Sequence, residues 1–402
     1  MSGPPPTTLR RVLTLWPLIF YGLGVIVGAG IYVAVGVVIE RAGPSAPVSF
    51  VIAGIVAVLT GLCYAELGSR FPEASGGVSY VRHGFGSDRL ARIVGAAMTL
   101  AVAVAGASIA RGTAQYLGVL VPLPEWLLVT LVILGFTGIA AVGVRESVAI
   151  AAVMGLIEIV GLVAAIVAGL IAAPDFDLSP MWPASAPAWE GVLSGAFLAF
   201  FAFIGFETLA NLGEEVKDPH RTLPRGVMGA VGASVLLYVA VVSAVVLSGR
   251  EGEHPLLMLF PGMGAAVFAA VGSIAVANGV LVQIVMLARL FYGMAKRGQL
   301  AGAMGAGLAV VHPRTRTPVR ATALGGGIVL VMALAVPFEH LLVVANMVTL
   351  GIFTLVALSL WRVQRRPGAE RGETFRVPAW VPLLAAILCV GLMVAEAIGF
   401  IP

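Results

Sequence analysis

Charge is what this chain of 402 residues has least of: Asp, Glu, Lys and Arg together make up 11% of it, under half the roughly 25% of an ordinary soluble domain. Water cannot solvate a surface built that way, which excludes a soluble enzyme, a nucleic-acid binder and a disordered chain. Cysteine is nearly absent as well. Cys63 and Cys389 both lie inside apolar blocks, so neither a disulfide framework nor a thiol metal site is expected. The five histidines, His83, His220, His254, His312 and His340, are read as falling in connections between those blocks, which leaves no histidine cluster at membrane depth. No metal and no other cofactor is expected. The opening Met-Ser-Gly-Pro-Pro-Pro has no charged run leading to a cleavage site, so no signal peptide is expected to be removed. No polar stretch is long enough for a separate soluble domain.

What the chain has instead is apolar residues, 59% of the total, in blocks of about 18 to 25, the length that crosses roughly 30 Å of hydrocarbon as a helix. A transmembrane barrel would show alternating segments of about ten residues, and none is visible. The expected fold is all-α, a single transmembrane domain of about eleven helices at roughly 16–38, 47–68, 91–119, 125–143, 147–172, 192–213, 226–248, 263–294, 321–338, 340–361 and 379–400. Basic residues fix its orientation by the positive-inside rule. Of 24 Lys and Arg, 20 fall in alternate connections counted from the N-terminus; the other set holds Arg41 and Arg250, and Arg111 and Arg289 lie within spans. The chain is therefore expected to sit in the cell (inner or plasma) membrane with its N-terminus cytoplasmic and its C-terminus outside.

Two spans contain residues that a simple membrane helix does not favour. The first has glycines at 22, 24, 28 and 30, each costing about 1 kcal/mol against alanine in a helix interior. A break at Gly28-Ala29-Gly30 would free peptide groups, which lipid tolerates only where they line a cavity. Free N–H groups at a positive helix end suit a carboxylate. Close helix packing by small residues is the competing explanation. The sixth span reads Phe200-Phe201-Ala202-Phe203-Ile204-Gly205-Phe206-Glu207, a glycine next to an acid. A carboxylate at that depth points to function by default, although Glu207 could also pair with a polar neighbour while Phe201 and Phe203 fill the core. Two glycine-interrupted spans five helices apart suggest a transporter built from repeats, one over about 16–172 and one over about 192–361, with 379–400 as an addition.

Gly24-Val-Ile-Val-Gly-Ala-Gly-Ile-Tyr32 resembles the first-span signature of the amino acid–polyamine–organocation (APC) superfamily. Phe203-Ile-Gly-Phe-Glu207, followed by the connection Glu214 to Gly226 with Pro219 and Pro224, is similar to its sixth span and next cytoplasmic loop. Ser108-Ile-Ala-Arg-Gly112 and Ala288 to Gly298 resemble segments of its cationic amino acid transporter branch and bacterial relatives. The resemblance runs from about residue 14 to 361. It implies a LeuT-type fold of 5+5 inverted repeats with the substrate between the broken spans. It implies that the N–H groups of Ala29 and Gly30, beside Gly28, take the substrate carboxylate. The carbonyls of Ile26, Phe201, Ala202 and Ile204, beside Gly205, would take its amino group. Phe201 stands where relatives place an aromatic gate, and Glu207 matches an acidic position linked to proton sensing. Ala29 replaces a serine common in relatives, leaving backbone contacts alone.

Glu158 lies deep in the fifth span. Several proton-coupled relatives carry a lysine at about this place, and a carboxylate departs from that pattern. Glu158 and Glu207 are both candidates for the coupling site, the alternative for Glu158 being a structural partner of Arg111, Arg289 or a polar group on the eighth span. Arg111 is read as a gating or structural residue. Ser108, Arg111 and Gln115 recur at helical spacing and could line a pathway, as could Asn278, Gln283 and Asn346. Interhelical hydrogen bonding explains the same residues. Glu396 is read as interfacial at the outer end of the last span. The functional expectation is a secondary active transporter of an α-amino acid, proton-coupled and working by alternating access. Sodium coupling is less favoured because 277–281 lacks a hydroxyl pair; it and amino acid or amine exchange are the alternatives. An intramembrane enzyme lacks any nucleophile, metal or cofactor motif, and a channel lacks a polar pore stripe.

Overall fold

The computed structural model describes residues 13–71, 76–142, 148–210, 212–213, 215–250, 252, 254–296, 300, 302–315, 317–366 and 375–399, with the backbone alone for Ala29, 148–154, Ala303 and Met304. Of the basic residues counted for orientation, Arg10, Arg11, Arg145, Arg297, Arg316 and Arg371 lie outside these, as does Glu214.

Apolar sequence in lipid must satisfy its peptide groups within each segment, and the helix does so. The described chain is helical: α1 (Leu15–Ala42), α2 (Ala46–Arg70), α3 (Gly76–Phe85), α4 (Asp88–Leu120), α5 (Glu125–Val142), α6 (Val148–Ala172), α7 (Ala186–Ala199), α8 (Glu207–Ala210), α9 (Pro219–Leu247), α10 (Pro255–Met258), α11 (Met263–Lys296), α12 (Gly302–Leu308), α13 (Val319–Ala335), α14 (Phe338–Gln364) and α15 (Trp380–Gly399). Local chemistry sets several starts. The Ser87 hydroxyl accepts from the Leu90 N–H (3.2 Å) to cap α4, and Ser185 does the same for α7 through Ala188. Pro219 opens α9, where its missing N–H is not needed.

Nine helical stretches among the described residues are long and apolar enough to cross a membrane, with α1 beyond Gly30 running on into α2 as one; Leu15–Gly28 and Val319–Ala335 are shorter apolar helices. The protein is a multi-pass membrane protein. Apolar side chains such as Leu131 and Leu134 of α5, Val160 and Ile171 of α6 and Ile387 of α15 point outward, as lipid requires.

Two expectations need correction. The connection 69–90 contains α3, which packs between α4 and α14, so His83 lies on a helix; His220 and His340 likewise sit in the first turns of α9 and α14. The segment expected as a loop up to Gly226 is helical from Pro219, because proline tolerates a helix start. Glu396, near the outer end of α15, is 2% exposed and accepts from the Ser194 hydroxyl at 2.8 Å, which ties α15 to α7.

At the core, α1 packs against α6, α7, α9 and α11. Its approach to α6 is backbone to backbone: a methyl on Gly155 would lie 2.5 Å from Gly24 Cα. The arginine-rich end is held by a buried polar hub. Glu66, fully buried, accepts from Arg70 Nε (2.9 Å), Gln364 Nε2 (2.9 Å) and the Val377 N–H (2.8 Å). This fastens α2, the end of α14 and the segment before α15. Nearby, Leu13 lies along Val216 as a two-residue parallel bridge, joining the start of α1 to the segment after α8.

Candidate functional site

The first and sixth spans are both interrupted, and the interruptions touch. In α1 the helix breaks at Gly28 (φ −28°, ψ −117°). In the sixth span α7 tightens into a 3-10 turn at Phe200–Phe203, the backbone extends at Ile204 (ψ 132°), Gly205 takes φ 134°, and α8 restarts at Glu207. Only glycine adopts that φ without strain. A methyl on Gly30 would lie 2.6 Å from Ala202 Cα, and one on Gly205 3.1 Å from the Val25 carbonyl oxygen. The contacts pair 30 with 202 and 25 with 205, so the two chains cross antiparallel at their breaks. A helix restarted after a break leaves N–H groups with no partner four residues back.

Tyr238 of α9 locks the crossing. Its buried hydroxyl reaches the carbonyl oxygens of Ile26 (2.7 Å) and Ala202 (3.0 Å). Both carbonyls are among those the family resemblance assigns to a substrate amino group. Here a phenol supplies the donor. No motif in the sequence singles out Tyr238. The signal it does carry is general: a tyrosine in the middle of an apolar span must find a partner for its hydroxyl.

A cavity of about 150 Å³ opens beside the crossing. Ile26, Gly28, Gly30, Phe201, Ile204, Gly205 and Glu207 line one side; Asn278 and Gln283 of α11 line the other. It extends toward Tyr21, Met98 and Met286, the direction of the arginine-rich end. Glu207 accepts the Gly205 N–H through Oε2 at 2.8 Å, so its carboxylate caps the restarted helix. Thr208 returns its hydroxyl to the Gly205 carbonyl (2.6 Å).

Glu158 differs from Glu207. It is fully buried, neither carboxylate oxygen has a hydrogen-bond partner among the described residues, and both lie about 4 Å from where a Gly28 Cβ would stand (3.9 and 4.0 Å). The carboxylate faces the α1 break from behind. Its backbone carbonyl accepts the Tyr32 hydroxyl (3.0 Å), and Tyr116 donates to the Tyr32 carbonyl (3.2 Å). Neither Arg111 nor Arg289 serves Glu158. Arg111 pairs with Glu125 (3.0 Å) and donates to the Val336 carbonyl (2.9 Å), and Arg289 is exposed.

Other sequence candidates fall elsewhere. Ser108 is buried and turns its hydroxyl back to the Val104 carbonyl (3.0 Å), so it does not line the cavity; the lining face of α4 is Met98, Ala101, Val102, Ala105 and Ile109. Asn346 is also buried and donates to the Phe197 carbonyl (2.7 Å) at the end of α7, supporting the break rather than facing the cavity. Arg111 and Gln115 line a second cavity of about 1020 Å³ at the opposite end of the bundle. Tyr32 and Tyr116, ring centroids 5.9 Å apart, form its floor. Asp177 lies on that rim, outside the spans; bonds from the Ser179 N–H and hydroxyl hold its carboxyl below the usual range. The side chain of Ala29 lies outside the described residues. Among the described residues no three His, Cys, Asp or Glu side chains are placed to hold a metal.

A protein-family model described as amino acid permease matches residues 13–402. The chain is 31% identical to the methylthioribose transporter of Bacillus subtilis over 96% of its length and 88% of that protein's. It is 27% identical to the branched-chain amino acid permease BcaP of the same organism, with the same coverage of 96% and 88%. It is 32% identical to cationic amino acid transporter 9, chloroplastic, of Arabidopsis thaliana over 74% of its own length, and it spans 59% of that plant protein. These relatives are permeases and transporters, not enzymes. With a match that covers nearly the whole sequence, the chain belongs to the amino acid permease family of the APC superfamily.

Proposed function

We propose that the chain is a secondary active transporter that carries an α-amino acid across the cell membrane by alternating access, coupled to protons, on a LeuT-type scaffold of two inverted five-span repeats plus α15. The observation that carries this reading is the antiparallel crossing of two broken helices, Gly30 on Ala202 and Val25 against Gly205, beside a cavity. Exposed peptide groups at such a crossing match a zwitterion: N–H groups after Gly28 for the carboxylate, carbonyls around Phe201 to Ile204 for the ammonium. The inverted repeat is supported by position. Each proposed repeat begins with an interrupted span, and each has a short helix after its second span, α3 in one and α10 in the other.

In this reading the cavity beside the crossing and the larger one above Tyr32 and Tyr116 are the two sides that access alternates between, with the N-terminus cytoplasmic and the C-terminus outside. Arg111, ion-paired to Glu125, belongs to the gate of the second. Phe201 closes over the substrate. Glu158 is the better candidate for the coupling proton, because its carboxylate is buried against the α1 break with no partner among the described residues, while Glu207 is engaged in capping α8. An isolated ionised carboxylate in such surroundings is costly, and a proton is the smallest ligand that removes the charge.

The test is transport in proteoliposomes. Saturable counterflow of an amino acid, and uptake that rises with an inward proton gradient in sodium-free buffer, are expected. Uptake that needs sodium would replace proton coupling. Exchange that ignores the proton gradient would make the chain an exchanger. No saturable counterflow of any amino acid would end the proposal.

A further inference from the structure

We infer that the cavity selects an amino acid whose side chain is apolar and uncharged; this rests on the reading of the chain as an amino acid transporter. The cavity has two unlike sides. The peptide groups of both breaks lie at one, where a zwitterionic head is held. The side left for the substrate's side chain is a stripe of α4, Met98, Val102, Ala105 and Ile109 at helical spacing, facing Val282 and Met286 of α11. Among the described residues no Asp, Lys, Arg or His lines the cavity.

Among the described residues the one charged side chain in its wall is Glu207, at the break end, with Oε2 already accepting the Gly205 N–H at 2.8 Å. Glu158 does not line the cavity, since it lies behind Gly28. A guanidinium or ammonium on the substrate side chain would therefore leave water with no counter-charge on this wall, and a side-chain carboxylate would find no cation. Either loss outweighs what burial of the remaining methylene groups contributes. Asn278 and Gln283 are neutral and border the stripe. Met98 and Met286 are unbranched and deformable, so the wall fits branched and linear aliphatic side chains alike.

The experiment is a binding panel on the purified full chain, by thermal shift and by counterflow in proteoliposomes, using leucine, isoleucine, methionine, glutamine, arginine, lysine and glutamate. Leucine, isoleucine and methionine are expected within about tenfold of one another, and at least tenfold tighter than the other four. Tightest binding by arginine, lysine, glutamate or glutamine would overturn the inference and leave the transporter reading intact. Binding of none of the seven in either assay would overturn the inference, and the transporter reading falls with it only if no other amino acid gives counterflow. Val102→Asp places a carboxylate on the stripe and is expected to raise arginine affinity at least tenfold while lowering that of leucine. If the folded variant shows no gain for arginine, the stripe does not contact the side chain and the inference fails. If that variant does not fold, the parent panel still decides.

Discussion

The hydroxyl of Tyr238 stands 2.7 Å from the carbonyl oxygen of Ile26 and 3.0 Å from that of Ala202, so one phenol from α9 pins the two broken helices to each other. Replacing it with phenylalanine leaves two buried carbonyls without that donor, at about 1–3 kcal/mol for an unsatisfied buried group. Tyr238→Phe is expected to lower the apparent melting temperature of the purified protein. A bound substrate ammonium can supply the missing donor, so the stabilisation by substrate should be larger in Tyr238→Phe than in the parent. An equal or smaller ligand shift would mean that the two carbonyls do not meet the substrate.

Gly30 tests the crossing itself. A methyl there would lie 2.6 Å from Ala202 Cα, a distance that forces one backbone to move, and overpacking of this kind costs about 1–3 kcal/mol. Gly30→Ala is expected to abolish counterflow while the protein still inserts and purifies as a folded species. Gly391→Ala in α15 is the control, because nothing stands within 4 Å of a methyl at that position; its transport and melting temperature should match the parent's.

The helices, the two breaks and the acid at the sixth-span break are legible in the sequence for physical reasons. Apolar runs of membrane length can only be helices, and glycine clusters at mid-span carry a cost that needs a purpose. Burial and side-chain direction are not legible. Ser108 recurs with Arg111 and Gln115 at helical spacing, which suggests a pathway-lining face, yet the cavity face of α4 is the neighbouring apolar stripe through Val102 and Ile109. In a membrane protein an apolar stripe that lines a cavity looks the same as one that meets lipid. The place of Glu396 near a span end suggests an interfacial acid but does not show its partner, Ser194 on a helix remote in sequence. Tyr238 escapes a reading by motif because its role depends on two carbonyls from spans that only the fold brings together.

Glu66 is expected to matter for stability rather than for transport specificity. Its carboxylate gathers Arg70, Gln364 and the Val377 N–H in a fully buried position. Glu66→Ala leaves the Arg70 guanidinium without that acceptor, and breaking a buried pair from one side typically costs about 3–5 kcal/mol. The variant should show a clear drop in folded yield and melting temperature. Any protein that folds should keep the parent's order of substrate preference, since the hub's partners lie outside the cavity wall. A changed order with unchanged stability would assign Glu66 to the pathway instead.

The two acids near the breaks should separate on amide substitution. Glu207 serves as an acceptor: its Oε2 takes the Gly205 N–H at 2.8 Å. Glutamine keeps a carbonyl oxygen able to accept the same bond, so Glu207→Gln should lose only part of its transport, within about tenfold, and keep its response to a proton gradient. The Glu158 carboxylate has no bond to preserve among the described residues, and its place against Gly28 gives a change of charge direct access to the α1 break. Glutamine there is permanently neutral and similar in size. Glu158→Gln should therefore still bind substrate and catalyse counterflow, yet fail to accumulate it when an inward proton gradient is applied. Paired measurements of counterflow and gradient-driven uptake in the same liposomes decide the matter. If Glu207→Gln loses accumulation while Glu158→Gln keeps it, the coupling proton belongs to the sixth-span carboxylate, and the unpartnered acid of α6 has another role.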